Sequence, residues 1–449
     1  MRILNLFFKI STFCLFALSH ELSAQTWTAL GAGTDSAIDG LAVLNNKLYV
    51  AGQFSKAGSN PALNIAVWND TIWSPVGAGL NSIVNDLETV GPTLFACGSF
   101  TGAGSVPVNY ISSWNGASWS ALGSGLNNSA YVMSSSGGNL YAGGDFTSAG
   151  GIPASHIAKW NGSSWSSLGL GIDTTVYALA VSGTDLYAAG YFSKAGGVAA
   201  RNIAKWDGTT WSPLGTGINN AVYALAMYRS DLYAGGGFDS AGSVSSHWIV
   251  KWDGTNWSQV GTGVNYIITG LYGDSTGLYT GGFFSLAGGN SANCIASWNG
   301  STWSSFGTGM SGTTAGPQTD PLIDVFASVG NTLYAAGNFT SAGGVPANNI
   351  AKWSASTAGI EQNNINSGIT ISPNPSNGIF QITLKGITGQ QTEIAVFDLV
   401  GKQVYTEILT NGGNSAMTRS IDLSDCPKGM YFVRVRSGGD VNACKIVVQ

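Results

Sequence analysis

The side chains that most often carry out catalysis are scarce in this chain of 449 residues, which holds three histidines and five cysteines. Beyond residue 24 the histidines are His156 and His247, and no cysteine has an evident partnership with them. A copper-radical oxidase would need two histidines, tyrosine ligands and a tyrosine–cysteine crosslink. A sialidase would need three arginines around a substrate carboxylate, whereas residues 25–356 contain only Arg201 and Arg229. The sequence therefore predicts no catalytic residue, no metal site and no cofactor.

Dispersed carboxylates leave one enzymatic alternative open. Residues such as Asp145 and Asp239 could converge in space and act as a catalytic pair on a polysaccharide. Each of them is more simply explained as a solvated loop residue. No nucleophile elbow, phosphate-binding loop or calcium loop occurs in the sequence.

Tryptophan is the residue whose spacing organises the chain. Fourteen of the fifteen tryptophans fall into two columns with a step of 46 residues, apart from one step of 55 before Trp353. The stretch IAKWDGTTW at 203–211 holds one member of each column, Trp206 and Trp211. A fixed period of this size indicates a repeat architecture. Because the columns do not vary, we interpret them as packing groups and not as a sugar-binding platform on every repeat.

Each repeat reads as four short strands. In the repeat that begins at Val176 they are VYALAV, LYAAGYF, IAKW and WSPLG. Alternating runs rich in Val, Tyr, Phe and Trp, bounded by Gly, Asn and Asp, are typical of strands. Asp207-Gly208 joins the last two strands and predicts a tight primed hairpin turn. Four antiparallel strands in about 46 residues form the blade of a β-propeller.

The predicted fold class is all-β, with a seven-bladed β-propeller over residues 25–356. The second strand occurs seven times, from Leu48-Tyr49 to Leu333-Tyr334. TWTALG at 26–31 is a fourth strand without a blade, and the last repeat stops after its third strand, so we expect the first strand to complete the last blade. The glycine-rich second strand and the aromatic spacing resemble kelch and galactose-oxidase-like propellers. LYAGGDFTSAGG and IAKWNGSSWSSLGLG resemble an abundant repeat of exported bacterial proteins, which implies the fold and little about chemistry.

Ligand-binding residues are predicted where the repeats differ, since positions that are identical in every repeat serve the fold. Trp248, the one tryptophan outside both columns, lies directly before a third strand. Tyr110 and His156 hold the same position in other repeats, and Tyr191 holds a variable position in a second strand. Together with Arg201 they form the predicted ligand site. Drift on an unselected surface is the alternative.

The first 24 residues predict a secretory signal peptide. The basic residues Arg2 and Lys9 precede the apolar run ISTFCLFAL. The following LSAQ predicts cleavage after Ala24. No later run reaches the roughly 18 apolar residues of a membrane-spanning helix, so no membrane span is expected. The net charge is −5 and positive charge is not clustered, which argues against a nucleic-acid partner.

The C-terminal region differs in composition from the repeats. Residues 357–368 are predicted to be a polar linker and residues 369–449 a small β-sandwich. ISPNPSNGIFQITL, EIAVFDLVGKQVY, IDLSDCPKGMYFVRVRSGG and CKIVVQ resemble, in order, the type A sorting domain of the Bacteroidetes type IX secretion system. The residues on motif positions of that family are Pro373, Asn374, Pro375, Gly378, Asp398, Gly401, Lys402, Gly429 and Tyr431. Cys426 departs from the leucine that is usual there, and an ordinary binding domain is the alternative.

The resemblance implies passage through the periplasm and the outer membrane, with the secretion machinery as a partner. Such domains are typically cleaved, and the cargo is released or attached to surface lipopolysaccharide. The predicted function is that of a secreted or cell-surface binding or adhesion protein with a glycan or protein ligand. A secreted polysaccharide hydrolase or lyase and a structural module without a ligand remain alternatives. Pairing of Cys426 with Cys444 also stays open.

Overall fold

The computed structural model describes residues 25–313, 320–355, 368–385, 391–398, 402–410, 417–437 and 440–449. They divide into one compact unit of residues 25–355 and a second unit in the C-terminal region. The predicted signal peptide, most of the predicted linker and Gly401 lie outside the described residues. Every regular element in the described ranges is a β-strand, which confirms the all-β prediction.

Residues 25–355 form seven four-stranded antiparallel sheets, numbered here 1 to 7 along the chain. The first strands are Ile38–Leu44, Val84–Val90, Ala130–Ser136, Val176–Ser182, Val222–Tyr228, Ile268–Gly273 and Leu322–Val329. The second strands are Lys47–Gly52, Thr93–Gly98, Asn139–Gly144, Asp185–Gly190, Asp231–Gly236, Leu278–Gly282 and Thr332–Asn338. The third strands are Ile65–Trp68, Ile111–Trp114, Ile157–Trp160, Ile203–Trp206, Ile249–Trp252, Ile295–Trp298 and Ile350–Ala355. The fourth strands are Trp73–Pro75, Trp119–Ala121, Trp165–Ser167, Trp211–Pro213, Trp257–Gln259 and Trp303–Ser305, with Gln25–Ala29 as the fourth strand of sheet 7.

The seven sheets are arranged in a closed ring. The first strand of each sheet contacts the first strand of the next, and the first strand of sheet 7 contacts that of sheet 1. Sheet 7 combines both ends of this unit, because Gln25–Ala29 pairs with Ile350–Ala355 from Gln25↔Ala355 to Ala29↔Ala351. This pairing covers the edge of the third strand, which would otherwise expose its unpaired backbone groups.

The two tryptophan columns lie on the third and fourth strands. Trp206 is paired with Trp211 across the two strands, and their ring centroids are 5.4 Å apart. The same tilted pairing occurs in all seven sheets, including Trp27 with Trp353. Trp211 is buried and belongs to the apolar cluster between sheets 3 and 4. The columns are therefore packing groups, as the sequence predicts.

The turn between the paired tryptophans differs from the prediction. It contains four residues, 207–210, because Trp206 pairs directly with Trp211. Oδ1 of Asp207 accepts hydrogen bonds from the N–H groups of Thr209 at 2.8 Å and Thr210 at 2.7 Å. Of these four residues Gly208 alone has a positive φ, at 99°. Asp207 therefore stabilises this connection as an Asx turn, and the connection is not a two-residue primed turn.

One side of the ring, which we call the upper face, carries the loops between second and third strands and the loops that connect successive sheets. Each loop between second and third strands folds into a short hairpin. The hairpins are Lys56–Ala57 with Asn60–Pro61, Gly102–Ala103 with Val106–Pro107, Ser148–Ala149 with Ile152–Pro153, Lys194–Ala195 with Val198–Ala199, Ser240–Ala241 with Val244–Ser245, Leu286–Ala287 with Asn290–Ser291, and Ser341–Ala342 with Val345–Pro346. Met310–Ser311 adds a strand to the last of them. The opposite side is called the lower face. It carries the short turns between first and second strands and those between third and fourth strands.

The connecting loops are tied to these hairpins by side chains. Oδ1 of Asp173 accepts hydrogen bonds from the N–H groups of Ser193 and Lys194, both at 3.0 Å. An aspartate or asparagine makes the same two contacts in sheets 1 to 6, at Asp35, Asn81, Asn127, Asp173, Asn219 and Asn265. The upper face is consequently held by repeated hydrogen bonds and forms a defined scaffold for side chains.

The C-terminal unit contains two sheets. Gly368–Ser372, Ile379–Lys385 and Met417–Asp422 form the first, and Gln391–Phe397, Gln403–Thr410, Gly429–Ser437 and Asp440–Val448 form the second. Apolar side chains of both sheets meet in one cluster, with Phe380 and Ile421 from the first sheet and Ile394, Val433 and Ile446 from the second. This unit therefore has a hydrophobic core of its own.

Candidate functional site

An irregularity at the start of each first strand places seven side chains around one end of the ring axis. In sheets 1 to 6 the register with the second strand shifts by one residue directly after the first paired residue, as between Val176 and Ala178. In sheet 7 the shift follows the second paired residue, between Ile323 and Val325. A β-bulge of this kind redirects the side chain of the extra residue. The extra residues, which we call the bulge ring, are Asp39, Asn85, Tyr131, Tyr177, Tyr223, Thr269 and Asp324.

Three consecutive members of the bulge ring are tyrosines, and each ring contacts the next. The ring centroids of Tyr131 and Tyr177 are 5.8 Å apart and those of Tyr177 and Tyr223 are 5.6 Å apart. Both pairs are tilted, at 42° and 51°. Tyr223 is exposed over 38% of its surface, and the other two are half-buried. This tyrosine arc presents a continuous aromatic surface on the upper face.

Asp145 holds one end of the tyrosine arc in place. The Tyr131 hydroxyl donates a hydrogen bond to Oδ2 of Asp145 at 2.7 Å, and the Thr175 hydroxyl donates to Oδ1 at 2.5 Å. Burial and the hydrogen bond to Asp145 raise the pKa of Tyr131 to about 12. The tyrosine therefore stays protonated and keeps donating to the carboxylate at physiological pH.

The position of Asp145, directly after the second strand, is variable among the sheets. Tyr191 holds the position in sheet 4 and is 61% exposed. Gly237 holds it in sheet 5, where a Cβ atom would lie 3.5 Å from the Tyr223 ring. Glycine there leaves the outer side of Tyr223 uncovered. The tyrosine arc is thus accessible from above and from the side of sheet 5.

The opposite part of the bulge ring carries carboxyl groups. Asp39 and Asp324 are half-buried in sheets 1 and 7, which are neighbours in the ring. The surrounding protein displaces water and raises the pKa of Asp39 to about 6 and that of Asp324 to about 7, where the charge of Asp39 adds to the effect. Gln53 Nε2 donates a hydrogen bond to Oδ2 of Asp39 at 3.2 Å. Carboxyl groups with such pKa values act as hydrogen-bond donors as well as acceptors near neutral pH.

A third buried carboxyl group, that of Asp86, lies in sheet 2 directly after the bulge residue Asn85. Burial raises the pKa of Asp86 to about 8. Its two oxygens accept hydrogen bonds from the N–H groups of Leu87 at 2.8 Å and Met133 at 2.6 Å. Met133 belongs to the next sheet, so Asp86 joins the first strands of sheets 2 and 3. Its role in the structure is accordingly to cap backbone groups along the ring.

The position before the third strand, from which Trp248, Tyr110 and His156 were predicted as ligand residues, is not free of structural demands. All seven residues in this position have a positive φ between 58° and 65°. The carbonyl oxygen at each of them accepts a hydrogen bond from a glycine N–H in the second strand, as Gly236 donates to Trp248 at 3.1 Å. The premise that this column varies because the fold does not use it is therefore wrong. What varies is the side chain on a backbone that every sheet requires in the left-handed conformation.

Several side chains in this column also link neighbouring sheets. The amides of Asn64, Asn202 and Asn349 donate to backbone carbonyl groups of the following connecting loop at 2.8–2.9 Å. A ring nitrogen of His156 lies 3.1 Å from the corresponding carbonyl oxygen of Ile172, and burial lowers the pKa of this histidine. His156 therefore contacts the following connecting loop in the same way as these asparagines.

Trp248 and Tyr110 occupy this position with aromatic rings that are half-buried. Trp248 packs against the apolar cluster between sheets 5 and 6, and its centroid lies 5.7 Å from that of Tyr266 in an edge-to-face contact. Tyr110 packs against the cluster between sheets 2 and 3. Trp248 lies in sheet 5 and Tyr110 in sheet 2, so the two rings pack against different apolar clusters.

The other two predicted residues, Tyr191 and Arg201, are exposed in sheet 4. Thr174 donates a hydrogen bond to the backbone carbonyl of Tyr191. One guanidinium nitrogen of Arg201 lies 3.4 Å from the carbonyl oxygen of Asn219 in the next connecting loop. Tyr191 directly follows the second strand of sheet 4, at the position that Asp145 holds beside Tyr131 in sheet 3.

The tyrosine arc was missed at the sequence level, although a signal exists. Tyr131, Tyr177 and Tyr223 are 46 residues apart, each as the second residue of a first strand. Simple alternation assigns such residues to one face of a strand, and the bulge that redirects them has no distinct residue pattern. No three His, Cys, Asp or Glu side chains in the described ranges are placed to hold a metal ion. No helix among the described residues is long and apolar enough to cross a membrane.

In the C-terminal unit, the residues of the predicted sorting motif make local contacts. Asn374 Nδ2 donates to the carbonyl oxygen of Lys445 at 2.8 Å, and its Oδ1 accepts from the N–H of Val447 at 3.0 Å. Both partners lie in the last strand, Asp440–Val448. The segment Pro373-Asn374-Pro375 is thereby fixed against the C-terminal strand. Gly378 has a φ of 100°, and a Cβ atom there would lie 2.7 Å from Cα of Ser424, so the position requires glycine.

The remaining motif residues shape two turns and a strand. Oδ1 of Asp398 accepts a hydrogen bond from the N–H of Lys402 at 2.8 Å. The Tyr431 hydroxyl donates to the carbonyl oxygen of Pro427 at 2.5 Å, and Gly429 begins the strand that contains Tyr431. The motif is thus a set of turn and anchoring residues.

Comparison with known proteins identifies this C-terminal unit. Residues 370–449 match the family described as "Secretion system C-terminal sorting domain". These residues are a type IX sorting domain. The protein is therefore exported by the type IX system and is secreted or attached to the outer surface, which confirms the predicted localisation and the secretion machinery as a partner.

For the chain as a whole the comparisons are sparse. No curated protein matches it. Among solved structures, the WD40 domain of Pan2 from Neurospora crassa has 10% sequence identity and a TM-score of 0.41, and the match covers 74% of this chain and 96% of that domain. The computationally designed Ika4 protein has 15% identity and a TM-score of 0.21, with 49% of this chain and 94% of that protein covered.

Within the sorting domain the described part of the chain contains a free thiol at Cys426. It is half-buried and packs against the core of the domain, at a position where the family usually has leucine. The side chain of Cys444, its predicted possible partner, lies outside the described residues. Cys426 thus fills the place of an apolar residue in this structure.

Proposed function

We propose that residues 25–355 are a seven-bladed β-propeller that binds a glycan on its upper face after export by the sorting domain. Sheets 1 to 7 are its blades, and sheet 7 is the blade shared by the two ends of the unit. The two sheets of the sorting domain form a β-sandwich. The closed contacts between first strands and the common core of the two C-terminal sheets support these assignments.

The tyrosine arc is the observation that carries the proposal. Tyr131, Tyr177 and Tyr223 form an accessible surface of tilted, contacting rings on one side of the bulge ring. Aromatic rings with a polar hydroxyl combine a large apolar contact area with hydrogen bonding, and they bind well with little loss of side-chain entropy. Asp145 fixes the first ring, which lowers the entropic cost of binding further.

Polar groups on the side of the bulge ring opposite to the arc favour a glycan over a protein segment as the ligand. Asp39 and Asp324 belong to the bulge ring, and Gln53 is hydrogen-bonded to Asp39. Carboxyl groups whose pKa lies at about 6 and about 7 can act as donors or acceptors. A sugar chain presents apolar C–H faces to aromatic rings and many hydroxyl groups to such partners. This combination of few aromatic contacts and several placed polar groups is typical of small-ligand sites.

A glycan array probed with the full chain and with Tyr177→Ala tests the proposal. Tyr177 contacts both neighbouring tyrosines, so its truncation divides the arc. We expect binding to the recognised glycan to weaken by about 2 kcal/mol or more, as for an aromatic hot spot. The melting temperature should change little, because Tyr177 is only half-buried.

Tyr266→Ala is the matched control. Tyr266 is 51% exposed and contacts Trp248, and its ring is not part of the arc. Its truncation should leave glycan binding unchanged. Loss of binding in Tyr266→Ala with full binding in Tyr177→Ala would move the site to Tyr266 and Trp248. An array without signal, together with capture of a purified surface protein that depends on Tyr177, would make the ligand a protein.

The pair Asp39 and Asp324 is the specific observation in favour of the alternative function, a polysaccharide hydrolase or lyase. A carboxyl group whose pKa lies near 7 is suited to act as a general acid, and a second carboxylate beside it is suited to act as a base. Release of reducing ends from a polysaccharide by the full chain, lost in both Asp39→Asn and Asp324→Asn, would establish this activity. Binding without release supports the binding protein.

A further inference from the structure

A cavity of about 380 Å³ lies between sheets 6 and 7, among the short turns of the lower face. The rings of Tyr279, Phe306 and Trp353 line it, with centroids 6.0 Å apart for Tyr279 and Phe306 and 5.2 Å apart for Phe306 and Trp353. Phe306 is buried, and the other two rings are half-buried. The cavity therefore has an aromatic lining and lies at the strand ends opposite to the bulge ring.

Polar side chains of three turns surround these rings. Thr276, Asn299 and Asn331 are exposed at the cavity, and Asp274 is half-buried beside them. The Thr276 hydroxyl lies 2.6 Å from both Oδ1 of Asp274 and the Tyr279 hydroxyl. This chain of hydrogen bonds fixes the polar groups on one side of the cavity before any ligand enters.

Comparison with sheets 4 and 5 explains why the space is open. There, a lysine in the third strand forms an ion pair with an aspartate in the second strand: Lys205 with Asp185 at 3.1 Å, and Lys251 with Asp231 at 2.9 Å. By register the equivalent residues of sheet 6 are Ser297 and Gly277. Both line the cavity. Two small residues have thus replaced a long ion pair, and the removed volume contributes to the cavity.

The lining specifies the charge of the ligand. No lysine or arginine is among the residues that line this cavity, and Asp274 is its one acidic residue. Arg229 is not part of the lining, although it donates a hydrogen bond to the backbone carbonyl oxygen of Asn299 at 3.0 Å. The lining itself therefore offers no counter-charge to an anionic ligand. A cavity of this size falls in the range of about 300–1,000 Å³ typical of small-ligand sites, with apolar walls and a few placed polar groups.

We propose that this cavity is a second ligand site, which binds a neutral pyranose unit. The C–H faces of the sugar pack against Tyr279, Phe306 and Trp353. Its hydroxyl groups exchange hydrogen bonds with the amide of Asn331, which offers donors and an acceptor. They also accept from the amide N–H groups of Asn299, whose Oδ1 is already bonded to the N–H groups of Ser301 and Thr302. The site is independent of the tyrosine arc, because it lies on the other face of the ring.

Titration of the full chain with methyl glycosides of glucose, galactose and mannose tests this site. Saturation-transfer NMR and calorimetry report binding. The decisive variant is Gly277→Asp/Ser297→Lys, which restores in sheet 6 the ion pair of sheets 4 and 5 and fills the cavity. A Cβ atom at Gly277 would lie 3.4 Å from its nearest neighbour, so the change is tolerated. We expect binding of the preferred glycoside to weaken at least tenfold with an unchanged melting temperature.

The reciprocal variant Asp185→Gly/Lys205→Ser is the matched control. It removes an ion pair that is partly exposed, so both the melting temperature and glycoside binding should stay nearly unchanged. Asn331→Ala changes an exposed residue and should weaken binding several-fold, which keeps the test decisive if the double variant folds poorly.

Tyr177→Ala separates this site from the upper face, since glycoside binding at the cavity should persist in that variant. Three results would overturn the proposal. They are no binding of any neutral glycoside, tighter binding of methyl glucuronide than of the neutral sugars, and binding that survives in both cavity variants but is lost in Tyr177→Ala.

Discussion

The indole N–H of Trp211 donates a hydrogen bond to the backbone carbonyl oxygen of Leu168 at 2.8 Å. Leu168 directly follows the fourth strand of sheet 3, and Trp211 begins the fourth strand of sheet 4. All seven tryptophans of this column make the same bond to the preceding sheet, at 2.8–3.4 Å, including Trp27 to Phe306 across the closure. The column therefore joins neighbouring sheets at their outer edges, in addition to filling the core.

The first prediction concerns this inter-sheet bond. Trp211→Ala removes a buried ring and leaves the Leu168 carbonyl without its partner, so we expect the free energy of unfolding to fall by about 3–5 kcal/mol. Trp211→Phe keeps most of the packing and loses the hydrogen bond, so its loss should be smaller, about 1–2 kcal/mol. Chemical denaturation of the full chain measures both. Equal losses in the two variants would show that the ring volume contributes little.

The second prediction concerns ring closure by the first strand. Removal of residues 25–29 exposes the edge of Ile350–Ala355 and takes Trp27 away from Trp353. We expect a lower melting temperature and concentration-dependent association, since an open edge pairs with other chains. Light scattering and calorimetry measure these effects. Trp27→Ala is the control that loses the ring and retains the strand, and it should be destabilised without associating.

The third prediction concerns export. Removal of residues 370–449 deletes the sorting domain, and we expect the remaining chain to accumulate in the periplasm of the native host. The described part of residues 25–355 forms a compact unit with its own cores, so the retained protein should be folded and resistant to protease. Fractionation of cells and medium measures the distribution. Normal amounts of the truncated protein in the medium would contradict the role of the domain.

Residue patterns predicted those features of the fold that repeat in the sequence. The tryptophan columns predicted strand pairs such as Trp206 and Trp211, and alternation predicted the first and second strands. The bulge at Tyr177 could not be predicted, because a one-residue register shift depends on the twist of the whole ring and leaves no residue signature. The left-handed backbone at Trp248 could not be predicted for a related reason, since backbone conformation is invisible in residue identity unless glycine marks it. Ligand binding by Trp248 stays a prediction. The kelch-type resemblance and the Bacteroidetes origin stay predictions.

The fourth prediction is a pH dependence that arises from Asp324. Burial raises its pKa from 3.8 to about 7 in the folded chain, so the folded state binds more protons than the unfolded state between these values. The contribution of this group to stability is therefore complete below about pH 4 and is lost as the pH rises through about 7. Asp324→Asn should raise the melting temperature at pH 8 and change it little at pH 4.5.

The control for Asp324 is Asp70→Asn, which removes an exposed carboxylate from the turn of sheet 1. Its melting temperature should follow that of the unmodified chain at both pH values. Calorimetry at pH 4.5 and pH 8 measures all three proteins. A parallel fall of stability with pH in Asp324→Asn and in the unmodified chain would assign the effect to other groups.

The fifth prediction separates fold from binding at Trp248. This residue has a φ of 65° and its ring packs against the core between sheets 5 and 6. Trp248→Ala should therefore lose about 1–3 kcal/mol of stability, from lost packing and from alanine in a left-handed conformation. Trp248→Asn should retain stability to within about 1 kcal/mol, because asparagine tolerates this conformation. In sheet 4, Asn202 at the equivalent position donates to the Ile218 carbonyl oxygen at 2.8 Å.

Glycan binding by Trp248→Asn then tells whether the aromatic ring itself recognises the ligand. If the tyrosine arc is the site, Trp248→Asn should bind the same glycans as the unmodified chain, while Tyr177→Ala should not. Calorimetric titration of both variants, after their folding is confirmed by thermal unfolding, makes the comparison. Loss of binding in a stable Trp248→Asn variant would return the ligand site to Trp248. A large loss of stability in Trp248→Asn would instead show that the ring, and not the left-handed backbone, is what sheet 5 requires at this position.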